Sequence, residues 1–197
     1  MCIRDSSDDN SGRIQRKVAT REVDFGLTSR WADAPGLHFD ALLEDRFGVL
    51  YRRDDAGLFP GRDGTMRWAD LAGRKLVGVV DETGIMALLR ARADLPIEAA
   101  APFYEASSTT SQAALVKAGM GVAVLPALAA QRVMEPELAY ALLARPTVVR
   151  TLCIIRHKEY PLSPAAQALI LGIRTYLRTA ALPAGCKLAA GAGRKHG

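Results

Sequence analysis

The chain reads as an α/β protein built on a wound, mostly parallel sheet, and three local patterns predict this. Residues 114–126, A-L-V-K-A-G-M-G-V-A-V-L-P, join a helical run to a short apolar strand through glycines and stop at a proline. Gly119 can take the left-handed conformation that closes a helix, and Pro126 cannot donate to a sheet ladder. Residues 76–144 then alternate strand and helix patterns, the order that forms crossovers in a right-handed sheet. Finally, Ser163-Pro164 places a capping hydroxyl and a first-turn proline ahead of a last helix that runs to about residue 180.

In order, residues 14–21 resemble the last turns of a helix, and 23–27 a strand. Residues 37–43 and 47–51 form two extended runs. The Gly- and Asp-rich stretch 54–65 is a loop, with Asp54-Asp55 expected in solvent. Residues 68–73 make a short helical turn, and 76–80 a buried strand. Thr83 then precedes a helix with Ile85, Leu88, Leu89 and Ala93 on one face. Strand 102–106, helix 111–118, strand 122–125, helix 127–133 and strands 138–144 and 151–157 complete the order. The tail 181–197 is rich in Gly, Ala and Lys and is expected to be disordered. Residues 1–12 are polar and aperiodic and are expected to lie outside the fold. The opening M-C-I-R-D-S resembles a library adapter translated in frame.

Composition excludes several classes. With 49% hydrophobic and 24% charged residues the chain suits a globular fold. No apolar run approaches the ~18 residues of a membrane span. The start lacks the apolar core of a secretory signal, which points to the cytoplasm and to no membrane partner. Cys2, Cys153 and Cys186 have neither disulfide-framework nor zinc spacing, and no metal or cofactor is expected. His38, His157 and His196 form no cluster; on a strand, Cys153 and His157 sit roughly 13 Å apart. The net charge of +5 owes part of its excess to Lys187, Arg194 and Lys195, and the other arginines alternate with acids. No nucleic-acid surface follows. Gly119-Met120-Gly121 is no dinucleotide loop, because there a helix precedes and a strand follows.

Five motifs in order carry a resemblance to LysR-type transcriptional regulators over about residues 18–179. Val23-Asp24-Phe25-Gly26-Leu27 is similar to the family strand (L/V)-D-(L/F)-(A/G)-(I/L). Residues 42–51 resemble its long strand between subdomains. Residues 68–73 resemble its W-x-D-L-x-G turn, residues 118–126 its A-G-x-G-(V/I)-A-(L/V)-L-P, and residues 162–166 the start of its last helix. The resemblance implies two Rossmann-like lobes of the type 2 periplasmic-binding-protein kind, joined by crossover strands, with the first lobe incomplete. Subdomain I is expected from residues 13–53 and 155–180, and subdomain II from 54–154.

The implied function is effector sensing: a small metabolite bound between the lobes controls DNA binding by an N-terminal winged helix-turn-helix that is absent here. The full-length parent is expected to be a homo-oligomer, and this chain an N-terminally truncated fragment without DNA contact of its own. A transport receptor shares such lobes but needs an export signal. An enzyme on this fold needs a cluster of acid, base or nucleophile, and none stands out.

Candidate effector residues follow strands, where helix N-termini offer free N–H groups. They are Thr28 and Ser29 from the first lobe, with Thr83, Gly84, Ile85, Ser107 and Ser108 from the second. Each has a plainer reading. Ser107 and Ser108 open a helix and can simply cap it, as can Thr83, and Thr28-Ser29 can be an ordinary turn.

Overall fold

Asn10 starts the first helix of the computed structural model, which describes residues 6–80, 84–96 and 101–190. Its side chain accepts the Arg13 N–H at 2.9 Å and caps α1 (Ser11–Ala19). The fold therefore includes Ser11 and Gly12, against the expectation that residues 1–12 lie outside it. Polar residues at a helix entrance are caps, and Ile14 and Val18 one turn apart supply the buried stripe. β1 (Phe25–Ser29) follows and runs two residues past the expected end.

β2 (Leu37–Arg52) merges the two expected runs into one strand of 16 residues. Its first half lies between β8 (Val149–His157) and β9 (Cys186–Leu188), both antiparallel. β1 pairs antiparallel with the far side of β8. This four-stranded sheet is the core of a first lobe. Helix α1 packs on one face, with Ile155, Val18 and Leu37 between, and α5 (Pro164–Thr179) covers the other over Ile154, Leu42 and Leu43. A register shift between Ala41 and Leu43 lets two neighbouring leucines enter one cluster, which a regular strand forbids. Ser163 caps α5 by accepting the Ala166 N–H, and Pro164 occupies its first turn.

The second half of β2 enters another sheet. There it lies antiparallel between β6 (Ala123–Pro126) and β7 (Leu138–Ala144), and β3 (Thr65–Arg67) adds to β7 in parallel. β4 (Val77–Val79) and β5 (Tyr104–Ala106) pair in parallel and join β6 through a parallel bridge, Leu76 to Val122. Strand alternation splits the packing. Phe47, Val49 and Tyr51 meet Trp68, Met86 and Leu143 on one face, beside α2 (Gly84–Arg90). Leu50 meets Val116, Leu125 and Leu138 on the other, under α3 (Thr109–Lys117) and α4 (Ala127–Arg132).

The expectation of a mostly parallel sheet is corrected: parallel pairing occurs only at β3–β7, β4–β5 and the 76–122 bridge among the described residues. A strand that serves both lobes must be met by returning strands, and return without a crossover is antiparallel. The tail is corrected too. Residues 186–188 form β9, and Ala189 is buried and donates its N–H to Leu42 O. Residues 191–197 lie outside the described part. Among the described residues no helix is long and apolar enough to cross a membrane.

Candidate functional site

The two lobes touch where three helix and strand ends converge. Ser29 closes β1 and Ser11 opens α1, and their hydroxyl oxygens stand 3.5 Å apart. Gly84, the first residue of α2, faces both from the second lobe. A Cβ built there would lie 2.6 Å from Ser29 Oγ and 3.0 Å from Ser11 Oγ, so a side chain at 84 would push these hydroxyls aside. Ser29 is buried, and the loop after it is held by Gln15 of α1. The Gln15 Oε1 accepts the N–H groups of Trp31 and Ala32 at 3.1 and 3.2 Å, while its Nε2 donates to Ala32 O.

The second lobe presents two adjacent strand ends. Val80 N–H donates to Ala106 O, so the chain leaving β4 and the chain leaving β5 lie side by side. From there Ser108 caps α3: its Oγ accepts the Ser111 N–H at 3.1 Å and lies 3.0 Å from Ser111 Oγ. Ser107 and Ser108 are exposed. Behind them Gln112 is almost fully buried; its Nε2 donates to Val77 O at 2.8 Å, and its Oε1 has no partner.

Of the sequence candidates, the structure brings Ser29 and Gly84 together and sets Ser107 and Ser108 at the neighbouring helix entrance. Thr83 lies outside the described residues. Two placements are corrected. Thr28 does not follow β1 but belongs to it, and successive strand residues face opposite ways. Thr28 therefore shares the face of Gly26, which packs on Ile14 of α1, and is buried there. Ile85 is buried in the core cluster with Met86 and Leu89, because the α2 face that meets the sheet begins at once. Sequence reasoning missed Ser11, Gln15 and Gln112. An Asn10 cap followed by Ile14 and Val18 was the available signal for the first two; nothing local marks Gln112.

Two open cavities lie elsewhere on the second lobe. One of about 420 Å³ is bordered by Arg52, Arg74, Lys75 and residues 119–122, and another of about 450 Å³ by Tyr51, Met134, Tyr140 and Pro183. In the first, the cations are already engaged: Arg52 pairs with Asp54, Arg74 with Asp55 at 2.7 Å, and Lys75 rests on the Phe103 ring. Asp55 is thus partnered rather than simply solvated. Neither cavity is lined by Ser11, Ser29, Gly84 or Ser108, since the lobes are in contact there.

The described cysteines are not poised for redox chemistry. Burial pushes the Cys153 thiol above its usual range. Burial, then the Asp45 charge and its hydrogen bond, push Cys186 up to about 12. Both stay protonated at neutral pH, and the thiolate is the reactive form. Alkylation of Cys153 and Cys186 by iodoacetamide at pH 8 is expected to be at least about tenfold slower in the native chain than in the urea-unfolded one. The raised Cys186 value also means that protonation favours the fold. Its contribution is intact below pH 9, the thiol's reference value, and is lost as the pH climbs towards 12. A Cys186→Ala chain should lack that part of the alkaline loss in a pH series of thermal melts. Among the described residues no group of His, Cys, Asp and Glu could hold a metal ion.

Residues 6–178 match the family described as LysR substrate binding domain. The chain is 30% identical over 169 residues to the uncharacterized HTH-type transcriptional regulator YbhD of Escherichia coli K12, covering 84% of this chain and 52% of that protein. It thus spans about half the length of the curated relatives it matches. Among solved structures, the effector binding domain of QuiR in complex with shikimate superposes with a TM-score of 0.65 at 17% identity, over 81% of this chain and 74% of that one. The Synechocystis PCC6803 CcmR regulatory domain in complex with 2-PG gives 0.67 at 16%, over 83% and 78%. These likenesses establish the periplasmic-binding-protein-like fold.

Proposed function

Because the chain belongs to the LysR substrate binding domain family, we propose that it is the effector-sensing part of a transcription regulator, with its ligand held between the two lobes. The observation that carries this reading is the Ser11–Ser29–Gly84 contact. A buried hydroxyl, Ser29, and a half-buried one, Ser11, from one lobe meet a glycine backbone from the other, so a ligand entering here reads both lobes at once. Ser107 and Ser108 at the α3 entrance extend the same polar rim, and Thr83 remains a candidate by its place in the sequence. Hydroxyls and backbone donors suit a small polar or anionic metabolite. By binding one lobe arrangement better than another, such a ligand shifts their populations.

The relatives' names support a regulator over a transport receptor. On this reading the parent protein contacts DNA through a helix-turn-helix outside this chain, assembles as a homo-oligomer and works in the cytoplasm. It is a binder and not an enzyme. Subdomain I is taken at about 13–53 and 155–180 and subdomain II at 54–154, while the sheet partners of β2 change earlier, between Arg46 and Phe47.

The test is a thermal-shift screen of small hydroxy acids, keto acids and phosphorylated acids, followed by calorimetric titration of the hits. Ser29→Ala removes one neutral hydrogen bond and should weaken a true hit by about 1 kcal/mol, or about fivefold. A hit bound equally by Ser29→Ala and Gly84→Ala chains sits elsewhere, and the site assignment fails.

A further inference from the structure

We infer that the segment after α5, residues 181–190, is a strap that ties the two lobes together at the back of the crossover and thereby limits how far they open. The segment lies beyond the residues that match the family. Its hold on the first lobe is extensive. β9 pairs with β2 from Leu43 to Asp45, Lys187 Nζ meets Glu44 Oε2 at 3.0 Å, and Leu182 packs with Leu42, Leu43 and Ile154.

Its hold on the second lobe is narrow and specific. Gly185, at φ +93, presses its backbone against β7 and α4; a Cβ there would lie 2.6 Å from Leu142 Cδ2 and 3.2 Å from Ala127 Cβ. Gly185 O also accepts the Arg46 N–H at 2.9 Å, at the point where β2 passes between lobes. Next to it, the Cys186 thiol donates to Asp45 Oδ1 at 3.3 Å. The same oxygen accepts the Leu128 N–H of α4 at 3.1 Å. One carboxylate therefore joins the strap to a second-lobe helix. Beside Gly185 the packing is incomplete, since Pro183 and Ala184 border the 450 Å³ cavity. A broad grip on one lobe and a thin grip on the other is the arrangement of a fastening that releases at one end. When it releases, the lobes are free to part at Ser29 and Gly84 on the opposite side.

The purpose of this device rests on the effector reading above, but its test needs no effector, so the two can fail separately. Native-state hydrogen exchange on the whole chain, with residue resolution at low denaturant, follows the amides of Arg46, Ala189 and Leu128. The strap requires all three to exchange through one shared opening, with rates within about tenfold of each other. Gly185→Val unseats the strap's second-lobe end. It should lower protection at all three by at least about tenfold while leaving the Ala118 amide of α3 unchanged. X-ray scattering should show a larger radius of gyration for the same variant. Should Gly185→Val fail to fold, a chain ending at Ala180, read at Arg46 and Leu128 and by scattering, and the wild-type exchange pattern decide the matter. Ala189 exchanging through its own opening while Leu128 stays protected, or unchanged scattering after strap release, overturns the inference.

Discussion

A Gly121→Ala chain is expected to unfold in urea with a loss on the order of 3 kcal/mol, composed of backbone strain of about 1 and overpacking of about 2. Gly121 stands at φ +156, and a Cβ there would collide with the carbonyl of Lys75. That carbonyl is backbone and cannot rotate away. It also accepts the Val122 N–H at 3.0 Å, beside the Leu76–Val122 bridge that fastens the β4–β5 pair to β6. A displaced residue 121 therefore loosens the strands that lead into α2 and α3. Gly73 supplies the control. It has φ +74 with nothing within 4 Å of a built Cβ, so Gly73→Ala should cost only the strain, about 1 kcal/mol. Equal costs for the two would mean that the close approach at Gly121 is not what the A-G-x-G sequence secures.

Local rules made much of this fold legible. The Ser163-Pro164 entrance to α5, the cap at Ser108 and the left-handed Gly119 each depend on a few neighbouring residues, and each is present in the structure. The LysR resemblance, carried by five short motifs, agreed with the family match over residues 6–178. What sequence could not show depends on distant partners. Glu44, Asp45 and Arg46 break the hydrophobic pattern and split β2 in two on paper. In the folded chain Asp45 is neutralised by Arg150, 105 residues away, and the strand continues. β9 has no strand signature beyond Leu188; it takes its conformation from the β2 edge. Ser11 stood in a polar stretch without periodicity, and only the approach of Gly84 makes it a candidate. Thr28 lies inside β1 and Ile85 in the core cluster, since a strand end off by two residues, or a helix face turned by one, moves a side chain to the interior.

Removing the charge of Asp45 is expected to have the largest effect of any conservative change, a loss of about 3–5 kcal/mol for Asp45→Asn. The Asp45 side chain is fully buried and Arg150 is 14% exposed. Oδ2 accepts Arg150 Nε at 3.0 Å and Nη2 at 2.8 Å, while Oδ1 accepts the Leu128 N–H and the Cys186 thiol. All four contacts need an acceptor. Asparagine keeps the shape but turns one oxygen into an NH₂ group, which faces either a guanidinium or an amide N–H. The Arg150 charge is then left without its counter-charge in a site with little water, and this dominates the cost. The same logic predicts recovery. A buried pair offers little net stability once its desolvation is counted, so Asp45→Leu combined with Arg150→Met should regain most of the loss. The regain should be incomplete, because Leu128 N–H and the Cys186 thiol still lack their acceptor, at about 1 kcal/mol or more for the buried amide. Urea denaturation of Asp45→Leu, Arg150→Met and the double variant closes the cycle. Purely additive costs, with the double variant as unstable as the two singles summed, would show that the pair does not act as one unit. In that case the crossover is held by β2 pairing alone.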